Sequence, residues 1–384
     1  MQATGRLPCA SPRSARAIGR PVPLCRCVAV VKTPDLTEST ATQPFAFGGP
    51  PARGAIRVTP EDFVVDEVTG IIPTGAGEHA WLRIRKRDAN TQWVAQRLAV
   101  LAGVRAVAIG YAGLKDRRAL TSQVFTVHLP GRPDPDWSAL GGPEIEVLEV
   151  ARHHRKLQRG ALRGNRFRLR VRGLDGDRAV LARRLEQLRE SGVPNYFGPQ
   201  RFGRDGANLA AAAELLQGKV LADRFQRGMA ISAARAFLFN AALAQRVAAA
   251  SWDGALPGDI MQLDGRRALF RIEAADAEIE ARLRALAIHP TGPLPGRPGR
   301  VLEPGPALRQ LEQAWLAPHA AWVAGLARLG VEAERRALRL PVRDLCWAVT
   351  GDALELAFEL PAGGFATTVL RECVAVSAPA DEPA

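Results

Sequence analysis

No apolar run in this sequence approaches the roughly 18 residues that a membrane-spanning helix needs, so helical integral membrane proteins are excluded. Cysteine is scarce and odd in number. Cys9, Cys25, Cys27, Cys346 and Cys373 are too scattered for a disulfide framework and point to a reducing compartment. Zinc-ligand spacing is also missing: Cys25-Arg26-Cys27 has no matching second pair, and the adjacent His153 and His154 would face opposite sides of a regular strand. Gly75-Ala76-Gly77-Glu78-His79-Ala80 carries the letters of a dinucleotide-binding loop, but strand texture follows it where that fold requires a helix. A nicotinamide or flavin site is therefore excluded, and a methyltransferase has no glycine-rich loop for its methyl donor. Acidic residues are absent from two stretches, before Asp35 and between Val150 and Leu174.

What is present is a chain of 384 residues, 47% hydrophobic, able to bury a full core and long enough for two domains. The net charge of +13 comes from arginine far more than lysine, and a planar guanidinium grips phosphate well, so a polyanionic partner is expected. Residues 1–52, rich in Pro, Ser, Thr and Arg, read as a disordered basic leader. Val28-Ala29-Val30-Val31 is too short for a secretory core. A transit peptide and an over-called translation start are the alternatives.

From residue 54 two β-branched runs flank Pro60-Glu61-Asp62, and a strand follows at 79–85, with Ala80, Leu82 and Ile84 on one face and Trp81, Arg83 and Arg85 on the other. Asn90 or Thr91 caps a helix that Gly103 ends. Strands are expected around 124–129 and 145–150. The acid-free stretch ends in a strand, 166–172, whose arginines Arg166, Arg168, Arg170 and Arg172 share one face while Phe167, Leu169 and Val171 take the other. Such a one-sign stripe favours phosphate contact over a merely solvated face. Helices are expected at 178–189, 232–252, 276–287 and 308–329, before strand alternation returns at 353–360. A sheet that resumes after about 150 largely helical residues implies an inserted domain with both chain ends in the first one.

The segment with most chemistry is Gly110-Tyr111-Ala112-Gly113-Leu114-Lys115-Asp116-Arg117-Arg118, leading into a strand at 123–127 that fixes it at a sheet edge. Its small residues leave room for close approach of a ligand. Asp116, set among cations, stays ionised and suits a nucleophile, weak base or electrostatic stabiliser better than a general acid. Alone, the segment reads equally as a charged surface turn.

Together these pieces resemble the TruD family of tRNA pseudouridine synthases. The resemblance rests on Pro60-Glu61-Asp62-Phe63-Val64-Val65, Gly75-Ala76-Gly77-Glu78-His79, Asn90-Thr91-Gln92-Trp93-Val94-Ala95, Tyr111-Ala112-Gly113-Leu114-Lys115-Asp116-Arg117, Arg155-Lys156-Leu157, Gly164-Asn165-Arg166-Phe167, Val193-Pro194-Asn195-Tyr196-Phe197-Gly198, Gln200-Arg201-Phe202-Gly203 and Pro361-Ala362-Gly363-Gly364-Phe365-Ala366-Thr367. It implies an α+β fold: a pseudouridine-synthase catalytic domain with a mixed, largely antiparallel sheet (53–191 with 340–376), an inserted α/β domain (192–339) and a short tail (377–384). It implies isomerisation of uridine to pseudouridine at position 13 of tRNA by a monomeric cytoplasmic enzyme without cofactor or metal. Asp116 aligns with the catalytic aspartate of the family, and Phe63, Asn165 and Phe365 with residues that contact the target base or its sugar. Lys115 or a nearby arginine would hold the carboxylate ionised, and Arg155, Lys156, Arg166 and Arg168 would meet RNA phosphates. Arg118 departs from the His found there in many members, and the leader has no family counterpart. A non-catalytic RNA-binding protein is the main rival.

Overall fold

The computed structural model describes residues 43–377. In chain order it runs β1 (Ala52–Ala55), a 3-10 turn at Pro60–Asp62, β2 (Phe63–Val68), β3 (His79–Arg87), α1 (Thr91–Leu101), β4 (Ile109–Tyr111), β5 (Leu120–His128), β6 (Ile145–His153), β7 (Gly164–Gly176) and α2 (Arg178–Ser191). Next come β8 (Val193–Pro194), α3 (Ala207–Leu216), α4 (Arg224–Ala248), β9 (Ile260–Leu263), β10 (Leu269–Arg271), α5 (Ala277–Arg284), β11 (Ile288–Leu294), α6 (Pro306–Leu316), α7 (Ala320–Arg328), β12 (Glu334–Ala337) and β13 (Arg339–Leu340). The described residues end with β14 (Arg343–Thr350), β15 (Ala353–Pro361), α8 (Ala366–Cys373) and β16 (Val374–Ser377).

The fold is α+β. One ten-stranded sheet follows the order β14-β15-β7-β2-β5-β3-β6, with β1 beside β7, β16 beside β1 and β4 on β5. The pairs β2–β5 and β1–β16 are parallel and the others antiparallel, so the sheet is mixed and largely antiparallel. β5 is not at an edge. It lies between β2 and β3 with both faces buried, because the apolar cover extends over its polar residues Thr121, Ser122, Gln123 and Thr126 as well.

Alternation puts Phe167, Leu169 and Val171 of β7 with Leu354, Leu356 and Phe358 of β15 into a core covered by α2 and α8. Ala80, Leu82 and Ile84 of β3 pack with Phe125, Val127 and α1. Trp81, expected on the outward face of β3, is instead buried with Ala112, Val124 and Leu157 beneath the loop that follows β6. The segment from β8 to β13 has its own core, built from α3, α4, α7 and the aromatics Tyr196, Phe202 and Phe239, and its own four-stranded sheet β10-β9-β11-β12. The apolar pattern at 308–329 forms two helices, not one, broken by a 3-10 turn at Ala317–His319, since Pro318 cannot donate to a continuous ladder. After β15 the chain forms α8 and then β16.

Residues 43–49, read from composition as part of the leader, are packed: Phe47 meets Trp252 edge-on, and Arg184 donates to the Gly49 and Glu372 carbonyls at 2.6 Å. Residues 1–42 and 378–384 lie outside the described residues. The G-x-G letters at 75–77 serve packing, since a Cβ on Gly77 would stand 2.5 Å from the His153 carbonyl oxygen.

The β8–β13 ladder pairs Val193 with Leu340 and Pro194 with Arg339, closing the neck through which the chain leaves and re-enters the large sheet. Gly192 opens it, with φ 74° and its Cβ direction 2.5 Å from the Leu340 carbonyl oxygen. Gly192→Ala meets both left-handed backbone and a main-chain collision. It should lower stability by about 1–3 kcal/mol, read as a lower urea midpoint at unchanged slope; an unchanged midpoint would show that the neck tolerates movement.

Candidate active site

The loop before β5 owes its path to buried polar groups. Thr91 Oγ1 accepts from the Lys115 amide (3.0 Å) and donates to Gln123 Oε1 (2.9 Å), while Gln123 Nε2 donates to the Gly113 carbonyl (3.2 Å). Lys86 is wholly buried, and its ammonium donates to the carbonyls of Ala89 (2.7 Å) and Asp116 (2.6 Å). Burial pushes this ammonium down to about 8, against the pull of the Asp116 and Asp88 carboxylates and with the repulsion of Lys115. The main chain at Asp116 is thus clamped from inside while its side chain remains 52% exposed.

Asp116 meets a cation that its own segment does not supply. Arg57 Nη2 lies 2.7 Å from Asp116 Oδ2. Arg57 has φ 59°, and its guanidinium sits 4.1 Å above the ring of Phe63. Phe63 is only 2% exposed, packed edge-on against Phe167, so it floors Arg57 instead of offering a free stacking face. Lys115 turns away from Asp116. Its ammonium pairs with Glu67 Oε2 at 3.0 Å, both side chains being buried, and donates to Asn165 Oδ1 at 2.7 Å. Sheet register explains this meeting, since Asn165 stands opposite Glu67 on β2 and Leu360 on β15.

Gly110 was expected to admit a ligand, but its missing side chain admits protein: a Cβ there would collide with Thr126 Oγ1 and the Leu157 carbonyl. At Gly113 nothing lies within 4 Å of that position. Lys156, expected on RNA, bonds the Val107 carbonyl, while Arg155 is exposed. The β7 stripe has the expected alternation, but acids of neighbouring strands and of the turn before β2 neutralise much of it. Arg166 lies 3.7 Å from Glu359, Arg168 3.4 Å from Asp66, and Arg172 forks onto Asp62 at 2.7 Å. Burial raises the Asp62 carboxyl, yet Arg172 and the Thr59 amide outweigh it and hold the group below its ordinary range.

Past Asn165 a cleft of about 940 Å³ opens between the large sheet and the inserted segment, walled by residues that include Arg163, Asn195, Phe197, Arg336, Pro361 and Gly363. Arg163, Arg266, Arg267, Arg335, Arg336, Arg339 and Arg343 outnumber its two acids, Asp264 and Glu359. At its back Arg339 donates to His289 Nδ1 (3.1 Å), so His289 carries its proton on Nε2 and donates to Asp264 (2.9 Å). Burial pushes the His289 imidazole below its ordinary range. Phe365, which caps α8, faces Phe197 with ring centroids 6.4 Å apart and packs against the core of the inserted segment.

Sequence reasoning missed Arg57, Glu67 and Lys86. A signal existed for two of them. Glu67 continues the buried phase of Phe63 and Val65, and Lys86 that of Ala80, Leu82 and Ile84. An ionisable residue in a core phase is costly unless something satisfies it. Nothing local marks Arg57.

The α+β fold carries a strongly cationic cleft, suited to a polyanion, and an accessible carboxylate, Asp116, paired with Arg57. The family model for tRNA pseudouridine synthase D (TruD) matches residues 40–223 and 219–373, and the chain belongs to that family. It is 52% identical to the tRNA pseudouridine synthase D of Methylococcus capsulatus over 86% of this chain and 94% of that protein, and 48% identical to that of Nitrosococcus oceani over 90% and 98%. A crystal structure from Methanosarcina mazei assigned to tRNA pseudouridine synthase D shares the fold, with TM-score 0.66 and 20% identity over 87% of this chain and 96% of that one.

Lys86→Met should leave two buried carbonyls unsatisfied at a cost of about 1–3 kcal/mol, and it should speed amide exchange across residues 113–119. Between pH about 8 and the ordinary lysine value of 10.5 the unfolded chain holds a proton that folded Lys86 has released. Wild-type stability should therefore rise relative to Lys86→Met over that interval, by at most about 3 kcal/mol. Denaturant unfolding of both proteins at pH 7 and 10 measures this, and a constant difference would contradict it.

Proposed function

We propose that this chain isomerises uridine to pseudouridine at position 13 of tRNA with Asp116 as its catalytic carboxylate. The observation that carries the reading is the state of Asp116: its carbonyl is clamped by Lys86, its Oδ2 is held by Arg57, and half of the side chain is open to solvent. Membership of the family, and the activity named for relatives about half identical over nearly their whole length, support it. Residues 53–191 with 340–376 form the catalytic domain in this reading, and 192–339 the inserted one. No metal or organic cofactor takes part, and the enzyme acts as a cytoplasmic monomer; among the described residues no helix is long and apolar enough to cross a membrane.

The reaction breaks N1–C1′, turns the uracil and joins C5 to C1′; a proton leaves C5 and one is taken up at N1. A fixed, ionised carboxylate serves addition at C1′ or C6 and removal of the 2′ proton alike. Arg57 sets the plane of the carboxyl group and balances its charge, so no reorganisation is needed when charge develops on the sugar. Asn165, whose Oδ1 is engaged by Lys115, directs its amide donors toward a uracil carbonyl. The target nucleotide leaves its helix to enter the site, and the cationic cleft binds the backbone around it.

Asp116→Asn should abolish pseudouridine formation on unmodified tRNA transcripts, mapped by carbodiimide labelling and primer extension, while leaving tRNA affinity within a few-fold. Turnover like that of the wild type in this variant would remove Asp116 from catalysis. Affinity should fall at least tenfold between about 50 and 200 mM salt if several phosphates are neutralised; a flat response would exclude the cleft as the phosphate site.

A further inference from the structure

Arg336 in the cleft wall and Arg201, which meets the same Phe197 ring, form no ion pair among the described residues. Arg336 Nη2 donates to two neutral oxygens, Asn195 Oδ1 at 2.7 Å and the Gly363 carbonyl at 3.0 Å, and Arg201 Nη1 donates to Ser232 Oγ at 3.3 Å. The Nε–H of each is buried with no acceptor. Both guanidinium groups lie over one ring, Phe197, at 4.2 and 5.5 Å from its centroid. Nor can the acids of the cleft neutralise them, since Asp264 is held by Arg343 and His289, and Glu359 lies 3.7 Å from Arg166. Two like charges desolvated over one ring, with buried donors unspent, gain most from an anion that completes them. Burial and the neighbouring Arg201 push Arg336 down to about 9, the same conflict seen from the proton's side.

We propose that Arg336 and Arg201 form a phosphodiester subsite that seats one backbone phosphate of the bound tRNA in the cleft. The inference rests on the tRNA reading above and adds to it a named contact. The guanidinium fork suits the tetrahedral oxygens of phosphate, and Phe197 keeps both forks oriented before the ligand arrives. Because Arg336 also bridges Asn195 of the neck and Gly363 ahead of α8, the seated phosphate lies where the inserted segment meets the large sheet.

The test uses the full chain and tRNA assembled from synthetic pieces, in which single phosphodiesters around the target uridine are replaced by uncharged methylphosphonate. For the wild-type protein one linkage should weaken binding about tenfold. Arg336→Gln and Arg201→Gln should each weaken binding to unmodified tRNA by a similar factor and lose sensitivity to that linkage alone. Independent, multiplying penalties at every linkage would overturn the subsite, as would wild-type affinity in both variants. Arg201→Gln leaves the Asn195 and Gly363 bonds in place and decides the matter if Arg336→Gln does not fold. Inorganic phosphate that competes at millimolar concentration while no linkage is singled out would mark a free-phosphate site and overturn the assignment to RNA. Pseudouridine is scored in the same samples: linkage coupling without product would sink the isomerase reading and keep the subsite, whereas product without coupling would sink the subsite alone.

Discussion

A buried ammonium with no carboxylate against it fixes the centre of this molecule. Lys86 emerges from β3 into the core and finds two main-chain carbonyls, those of Ala89 and Asp116. Since an uncompensated charge in a core costs several kcal/mol, the loop cannot drift from the lysine without leaving it unsatisfied. The path of residues 112–119 therefore follows from the need to solvate one side chain. Asp116 inherits its position from that need, and Arg57 then fixes its carboxyl group from the opposite, exposed side.

A second polar row stabilises the same region. Glu67 on β2, Asn165 on β7 and Leu360 on β15 stand side by side in the sheet, and Lys115 spans the first two. The centre of the sheet is thus cross-linked by a buried ion pair at the point where the chain changes from scaffold to loop. Breaking one partner would strand the other, which is why such a pair specifies position more surely than it adds stability.

The two cores meet along several contacts. The β8–β13 ladder, Asn195 and Arg336 join the inserted segment to the large sheet, and the cleft lies in the angle between them. Arginines gather there in excess over acids, whereas on β7 the arginines that looked unopposed are matched by Asp66 and Glu359 from neighbouring strands and by Asp62 from the turn before β2. Positive charge available to a ligand is therefore found in the cleft more than on the stripe.

Alternation and capping were legible along the chain: the inward phases of β3, β7 and β15, the Asn90 cap and the resumption of the sheet after residue 340 follow from short-range patterns that depend only on backbone period. The motif strings pointed to the family and to Asp116 as the residue to watch. Glu67 and Lys86 were half-legible, as ionisable residues in apolar phases whose partners no local pattern reveals. Arg57, the neutralisation of the β7 stripe, the burial of Phe63 and the central place of β5 were not legible at all. Each depends on residues far apart in sequence meeting across strands, such as Arg57 with Asp116 or Asp62 with Arg172. Sequence by itself pointed to the family and to Asp116; tertiary structure alone decided which cations pair with Asp116 and which stay without an acidic partner in the cleft, because charge pairing is set by distance in space and not along the chain.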